Sequence, residues 1–315
     1  MNTELIKKFY ALLFLIRRTE EEIIRLYPTD IIKSPVHLSI GQEAVSVAVC
    51  QALKPLDLVF GTYRGHAMYL AKGGNLRSMI AELYGKISGC AKGKGGSMHL
   101  IDLRKGVMGT SAVVGTTIPL AVGYAYALKY KNRNDIVACF FGDGAVDEGD
   151  FHEALNFAAL KKLPVLFVCE NNFYAIHSHH LSRHHSDNIC ERAKSYGMPA
   201  MRIKDGDIFK IYKAASRYME KIRKGSGPAF IECITCRWKE HVGPGDDFHL
   251  GYRKKEEVAC WKHNDPLDKM RVLLDDKARG LIESKIEKEI EAAFLFAQKD
   301  SFPGKNELLK DLFDD

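Results

Sequence analysis

The sequence lacks any block of like charges. Its 315 residues include 46 Lys and Arg and 40 Asp and Glu, spread along the chain, with a formal net charge of +6. Binding to a nucleic acid or an anionic membrane surface requires a clustered basic patch. We therefore expect neither partner, and the 46% hydrophobic and 27% charged composition is typical of a globular protein.

Long hydrophobic runs are also missing. The longest near the amino terminus, Ala11 to Ile16, is too short to span a bilayer. It is followed by RRTEEE rather than by small residues, so it does not indicate a cleaved signal peptide. We expect an amphipathic N-terminal helix over about 4–27 and a cytoplasmic location.

Cysteine is present but shows no zinc-binding pattern. Of eight cysteines, Cys233 and Cys236 form the single C-x-x-C, within the strand-like run AFIECITC. Residues three apart on a strand point to opposite faces, so the pair does not suit joint zinc ligation. Buried free thiols in a reducing compartment are the simplest interpretation.

The chain shows no internal repeat and no linker. Strand-length apolar runs alternate with helical patterns, which predicts an α/β fold with a mostly parallel sheet flanked by helices. We expect one domain over residues 1–315, with a helical C-terminal extension over about 262–315. Strands are predicted at 57–63, 135–141, 164–170, 199–203 and 228–235, and helices at 76–85, 116–130, 149–162, 207–223 and 279–299.

Polar residues follow two of these predicted strands. Gly142–Asp143–Gly144 comes directly after an apolar strand, and Asn171–Asn172 ends the next one. Parallel strands end on the same side of a sheet, so Asp143 and Asn172 converge where open α/β sheets bind ligands. Two unrelated polar loops remain one explanation. The other is a Mg²⁺ that also holds phosphate oxygens, because a carboxylate and an amide oxygen are hard ligands.

The G-D-G turn and the later N-N pair match the thiamine diphosphate motif, and five further blocks widen the match. The chain resembles the alpha subunit of the thiamine diphosphate-dependent 2-oxo acid dehydrogenase E1 component, in the pyruvate and acetoin dehydrogenase branch. The blocks are HLSIGQEA (37–44), TYRGH (62–66), GCAKGKGGSMH (89–99), VVGTTIPLAVG (113–123) and YGMPAMRIKDGD (196–207).

This resemblance implies a thiamine diphosphate-binding fold and two cofactors, thiamine diphosphate and Mg²⁺. By resemblance, Mg²⁺ is held by the Asp143 and Asn172 side chains and the Tyr174 carbonyl. The residues implied for the diphosphate and the rings are Gly144 and Ala145, which open the following helix, and Tyr63, Arg64, Val114 and Ile176.

Two histidines also match active-site positions of the family. By resemblance, His37 positions the substrate, and His241 lies near the cofactor diphosphate on a mobile loop. A histidine suits such roles because its proton moves near neutral pH. The histidine-rich segment 177–185 leaves a separate metal site open as an alternative.

One expected group is missing. Thiamine chemistry needs a carboxylate against the aminopyrimidine ring, and no glutamate stands in a block where the family places it. The resemblance implies that a beta subunit supplies this glutamate, in an α₂β₂ heterotetramer that is active only when both chains are present. A small 2-oxo acid is the implied substrate, and a lipoyl acyltransferase is a further partner that the resemblance implies.

The loop TCRWKEHVGPGDDFHLGYR (235–253) departs from the family pattern. Cys236 stands where the family has tyrosine, Glu240 replaces a glycine, and Val242 replaces a serine. A carboxylate one residue from His241 is expected to raise the pKa of that imidazole.

Three functions therefore remain at the level of sequence. The first is decarboxylation of a 2-oxo acid, pyruvate being favoured, with acyl transfer to a lipoyl carrier. The second is a non-oxidative carboligase that passes the two-carbon unit to an aldehyde, ketone or sugar, which the altered loop favours. The third is a non-catalytic regulatory subunit.

Overall fold

The computed structural model describes residues 3–311. Its strands are β1 Leu58–Thr62, β2 Val107–Ser111, β3 Val137–Gly142, β4 Val165–Asn171, β5 Tyr174–Ala175, β6 Ser178–His179, β7 Ala200–Ile203 and β8 Ala229–Ile234. Its α-helices are α1 Thr3–Leu26, α2 Glu43–Ala52, α3 His66–Ala71, α4 Leu76–Leu83, α5 Thr117–Tyr130, α6 Gly149–Leu160, α7 His180–Arg183, α8 Ile189–Ser195, α9 Ile208–Arg223, α10 Lys255–His263, α11 Pro266–Arg271 and α12 Asp276–Lys299.

Six strands form one sheet in the order β2-β1-β3-β4-β8-β7, and every neighbouring pair is parallel. Strands β5 and β6 make a separate antiparallel hairpin directly after β4. The predicted α/β fold with a mostly parallel sheet is confirmed. The last paired position of β3 and β4 joins Gly142 to Glu170, so the two strands end side by side. The loops that follow them therefore lie at the same edge of the sheet.

The five predicted strands and the five predicted helices are present, and their bounds shift by at most three residues. The prediction missed the edge strand β2. This strand is short, contains Gly109 and ends in Thr110 and Ser111, and only part of it is buried. An apolar run is the signal of a strand covered on both faces, and β2 does not carry one.

The sheet separates two cores. Along β3, Ala138 and Phe140 pack into one core, and Val137, Cys139 and Phe141 pack into the other. The first core includes α1, α2, α4, α9 and α12, and the second includes α5, α6 and α8. Because helices cover both faces of the sheet, the central strands are apolar throughout their sequence and do not alternate between apolar and polar residues.

The two ends of the chain pack against each other. Helix α1 contacts α11 and α12, and the buried Arg17 of α1 pairs with Glu43 at 2.5 Å and Asp265 at 2.8 Å. The N-terminal helix, predicted over about 4–27, is observed over Thr3–Leu26. Residues 312–315 of the predicted C-terminal extension lie outside the described residues.

Two further expectations concern membranes and cysteines. Among residues 3–311, no helix is both long and apolar enough to cross a bilayer. All eight cysteines are free thiols, and Cys233 and Cys236 are buried, as expected from the strand pattern.

Candidate functional site

The structure brings Asp143 and Asn172 together at the carboxyl edge of the sheet. Asp143 opens a 3₁₀ turn, Asp143–Asp147, directly after β3, and Asn172 directly follows β4. The Asp143 side chain is only 1% exposed, and this burial raises the pKa of its carboxyl group. The backbone N–H of Asn172 hydrogen-bonds this carboxylate and partly offsets the rise, so the two loops are in direct contact.

The Asn172 side chain is fixed in orientation by both of its polar atoms. Its Nδ2 donates to Oε1 of Gln42 at 2.9 Å, and its Oδ1 accepts the backbone N–H of Tyr174 at 3.1 Å. Tyr174 begins the β5–β6 hairpin, and its hydroxyl donates to Glu257 at 2.9 Å. The asparagine therefore links the strand end to the hairpin.

A cavity of about 270 Å³ opens between these loops. All of the predicted cofactor-binding residues line it: Tyr63, Arg64, Val114, Asp143, Gly144, Ala145, Asn172, Tyr174, Ile176 and His241. They come from segments up to 178 residues apart in sequence, counted from residue 63 to residue 241. His37 is buried and does not line the cavity itself.

Gly144 allows the turn after β3 to pack tightly against the hairpin. A β-carbon at this position would lie 2.9 Å from the β-carbon of Ala175, closer than two such atoms normally approach. The expectation that Gly144 and Ala145 open the helix is wrong. They lie in the 3₁₀ turn, and α6 begins only at Gly149 because the extended backbone of Glu148 separates the two.

Arg64 adds a buried cation to the lining of the cavity. Its Nη1 donates to the carbonyl of Leu38 at 2.6 Å, and its Nη2 donates to the carbonyl of His241 at 3.2 Å. Burial lowers the pKa of Arg64 to about 10, so the guanidinium remains charged at neutral pH. A guanidinium in this position suits the oxygen atoms of a phosphate.

The rings of His37, Tyr63 and His241 pack against one another, and Tyr63 and His241 of this group line the cavity. Ring centroids are 4.4 Å apart for His37 and Tyr63, 5.2 Å for His37 and His241, and 5.6 Å for Tyr63 and His241. Burial, followed by the nearby charge of Arg64, lowers the pKa of each imidazole to about 3. Both histidines are therefore neutral at pH 7.

The expectation that Glu240 raises the pKa of His241 is wrong. The Glu240 carboxylate accepts the N–H of Gly245 at 2.7 Å, which folds it back into its own loop. A β-carbon on Gly243 would lie 2.5 Å from this carboxylate, so the loop closes tightly around it. The charges that reach His241 are mainly those of Arg64 and Arg237, and they lower its pKa further.

The structure gives no support to the alternative of a separate metal site in the histidine-rich segment. Residues 3–311 contain no group of three or more His, Cys, Asp or Glu side chains placed to hold a metal ion. His180 and His184 are buried against each other, with ring centroids 4.4 Å apart, and His184 contacts the carboxylate of Asp147. These histidines pack the segment onto the turn after β3.

The sequence did not single out Gln42, Glu170 or Arg183. Gln42 and Glu170 line the cavity, and burial raises the pKa of Glu170 to about 7. A signal for both was available, since Gln42 lies in the block HLSIGQEA and Glu170 directly precedes the asparagine pair. Arg183, whose guanidinium contacts Asp143, had no such signal.

The residues present fit a diphosphate held through a divalent cation. Asp143, Asn172 and the Tyr174 carbonyl offer hard oxygen ligands of the kind that Mg²⁺ prefers. Gly144 brings the backbone of the turn into the lining of the cavity, and Arg64 adds a buried positive charge to the same lining.

Comparison with known proteins gives a consistent result. The dehydrogenase E1 component family matches residues 12–304. Over 308 residues the chain is 39% identical to the alpha subunit of acetoin:2,6-dichlorophenolindophenol oxidoreductase of Bacillus subtilis, covering 96% of this chain and 92% of that protein. It is 37% identical to the pyruvate dehydrogenase E1 component alpha subunit of Zymomonas mobilis (98% and 88% covered), and 35% to the chloroplastic alpha-3 subunit of Arabidopsis thaliana (98% and 74%). The chain therefore belongs to the dehydrogenase E1 component family, as an alpha subunit of a thiamine diphosphate-dependent 2-oxo acid dehydrogenase.

Proposed function

We propose that this chain holds the diphosphate and Mg²⁺ end of a thiamine diphosphate site completed by a beta subunit. The enzyme decarboxylates a small 2-oxo acid, pyruvate being favoured, and transfers the acyl unit to a lipoyl carrier of an acyltransferase. The observation that supports this most directly is that the metal-type ligands, the glycine turn and Arg64 all line one cavity.

Different residues that line the cavity have different roles. Asp143, Asn172 and the Tyr174 carbonyl hold Mg²⁺, while Tyr63 and Arg64 bind the diphosphate oxygens. The N–H groups of Gly144 and Ala145 face the same diphosphate. Thiamine diphosphate, when bound, supplies the electron sink that decarboxylation of a 2-oxo acid requires.

The hydrophobic contacts come from Val114 and Ile176, which are 38% and 56% exposed. Ile176 has a φ of 53°, a conformation that a β-branched residue rarely adopts. Its carbonyl accepts Nη2 of Arg237 at 3.0 Å, which holds the turn of the hairpin in place. Strain of this kind concentrates at functional sites, and here it directs the Ile176 side chain toward the cavity mouth.

His37 and His241 act as neutral imidazoles. A neutral imidazole offers one donor and one acceptor, so His241 is suited to orient a substrate or a diphosphate oxygen at the cavity. His37 lies behind Tyr63 and His241 and positions both rings.

An apolar helix face supports the need for a beta subunit. Helix α5 is almost entirely apolar, and Leu120, Tyr124, Tyr126 and Tyr130 on it are exposed. Several exposed apolar side chains along one helix are typical of a protein interface. Helix α5 begins next to Val114, so a chain docked there reaches the ring end of the cavity. We propose an α₂β₂ assembly.

The test is reconstitution with the partner chain. The pair should bind thiamine diphosphate and Mg²⁺ in calorimetric titration and release CO₂ from pyruvate, and it should acetylate a lipoyl domain. The isolated chain should show no turnover, and full turnover without a partner would overturn the shared site. Failure of the pair to bind the cofactor would leave only a regulatory subunit.

A carboligase is the second candidate, and the loop containing Glu240 favours it. This carboxylate closes the loop upon itself through Gly245, beside the cavity where an acyl acceptor must enter. Such an enzyme would release CO₂ yet leave the lipoyl domain unmodified, and an acyloin would form when an aldehyde or sugar is added. Product analysis with and without lipoyl domain separates the two.

Two broader proposals concern the whole chain. Helices α1 and α12 share one continuous core with α2, α4 and α9, which supports a single domain from end to end. The free thiols support a cytoplasmic location, since such thiols persist in reducing compartments.

A further inference from the structure

Arg183 places a cation on the carboxylate of Asp143. Its Nη2 lies 2.5 Å from Oδ2 of Asp143, and its Nη1 contacts Asp147. The Asp143 and Arg183 side chains are 1% and 15% exposed, so little water screens the pair. His184, the next residue, contacts Asp147 as well, and together these contacts fasten the end of α7 onto the turn after β3.

The Asp143 carboxylate cannot easily bind both Arg183 and a metal ion. The backbone N–H groups of Asp143 and Asn172 hydrogen-bond it as well, so it already has several donors around it. A metal ligated there would lie only a few ångströms from the guanidinium, and like charges repel strongly where water is excluded. One of the existing partners of the carboxylate must then leave.

The partner free to leave is Arg183. The two backbone N–H groups belong to residues that directly follow the central strands β3 and β4, whose last paired residues are Gly142 and Asn171. Helix α7 has only four residues, and the exposed residues Leu181 and Ser182 show that it lies on the surface. Although His180 is buried, no residue of α7 belongs to either hydrophobic core, so the segment can move without opening either core.

We propose that Arg183 competes with the divalent cation for Asp143, so that metal binding displaces the guanidinium and frees α7 from the turn. This proposal rests on the proposed function only in taking Asp143 as a metal ligand. It assigns Arg183 a positioning role that sets metal affinity and couples it to the conformation of the segment.

The first test measures Mn²⁺ binding by the full-length chain, using the electron paramagnetic resonance signal of free Mn²⁺. Arg183→Gln should bind Mn²⁺ about tenfold more tightly than the unaltered chain, since it removes the competing charge. Arg183→Lys retains that charge and should stay close to the unaltered chain. Arg133→Gln, which breaks an exposed ion pair with Asp135, is the matched control and should not change the affinity.

Equal or weaker Mn²⁺ binding by Arg183→Gln would overturn the competition and leave Asp143 as a ligand. Absence of Mn²⁺ binding by every form of the chain would instead overturn the proposed metal site, and the competition with it.

The second test needs no substitution at all. Arg183 is the only lysine or arginine between residues 174 and 191, so tryptic cleavage after it reports on this segment alone. Saturating Mn²⁺ should accelerate this cleavage several-fold, while cleavage elsewhere stays unchanged. Cleavage that is unaffected or slowed by Mn²⁺ would show that the segment stays docked and would overturn the proposal.

Discussion

The imidazole of His37 and the phenol ring of Tyr63 pack with their centroids 4.4 Å apart, 26 positions apart in the sequence. Nδ1 of His37 is buried and has no hydrogen-bond partner. The pKa of His37 is lowered to about 3, mainly by burial and then by Arg64. A protonated His37 is therefore strongly disfavoured in the folded chain.

This predicts a specific loss of stability in acid. Free histidine has a pKa of about 6.5, so below that pH the unfolded chain binds a proton at His37 that the folded chain does not. Stability is fully present above pH 6.5 and falls as the pH drops toward 3. At pH 5 the contribution of His37 to this loss is about 2 kcal/mol, at 1.36 kcal/mol per pH unit.

Denaturant unfolding of the chain and of His37→Gln at pH 7.5 and pH 5 measures this loss. The variant lacks the titrating group. Between pH 7.5 and pH 5 its free energy of unfolding should therefore fall by about 2 kcal/mol less than that of the unaltered chain. His249→Gln, on the exposed side of its loop, is the control and should follow the unaltered chain. Parallel curves for the chain and His37→Gln would contradict the lowered pKa.

Asp143→Asn should abolish tight cofactor binding. The substitution keeps the shape of the side chain but removes the negative charge that faces the cation. We expect the affinity of the reconstituted pair for thiamine diphosphate and Mg²⁺ to fall about 100-fold, or about 2.7 kcal/mol. Asp150→Asn, in the exposed first turn of α6, should bind normally. Calorimetry measures both, and undiminished binding by Asp143→Asn would remove Asp143 from the site.

Gly144→Ala should disturb the turn that faces the diphosphate. The added β-carbon would lie 2.9 Å from that of Ala175, so the hairpin or the turn must shift. We expect a loss of about 1–3 kcal/mol in unfolding free energy, together with weaker cofactor binding. Gly149→Ala is the matched control, because no atom lies within 4 Å of the added carbon. Equal thermal melting and cofactor affinity for the two variants would contradict the close packing.

Glu82 should hold the glycine-rich segment 89–99 in its folded conformation. This buried carboxylate of α4 accepts four backbone N–H groups, from Ala91, Gly93, Gly95 and Gly96, at 2.7 to 3.0 Å. Glu82→Gln exchanges half of these acceptors for a donor and should lower the unfolding free energy by about 3 kcal/mol.

Hydrogen exchange of segment 89–99 should then accelerate in the Glu82→Gln variant. Glu289→Gln, on an exposed position of α12, provides the comparison and should exchange like the unaltered chain. Unchanged exchange in Glu82→Gln would mean that the segment is organised by other contacts.

The exposed face of α5 should be needed for assembly. Leu120 is 54% exposed, and Leu120→Glu would bury a charge in the proposed interface with the beta subunit. We expect the variant to fold but to lose the heterotetramer, measured by analytical ultracentrifugation. Leu281→Glu, 67% exposed on α12, should assemble normally. Intact assembly of Leu120→Glu would place the interface elsewhere.

Much of this protein could be predicted from the sequence, because the relevant signals are local. Unbroken apolar runs reveal strands that are covered on both faces. A turn after β3 and an asparagine after β4 must meet, since consecutive parallel strands of one unit end at the same edge. The positions of Asp143 and Asn172 follow from that rule alone, and the family motifs added further residues of the cavity, such as Arg64 and His241, but not Gln42 or Glu170.

The rest was decided by contacts between distant segments. The low pKa values of His37 and His241 result from burial beside Arg64, and no sequence pattern encodes that burial. Glu240 is adjacent to His241 in the chain, yet it turns away toward Gly245, so sequence proximity predicted the wrong sign of the effect. The contact of Arg183 with Asp143 arises the same way: 40 residues separate them, and only the folding of α7 onto the turn brings their charges together.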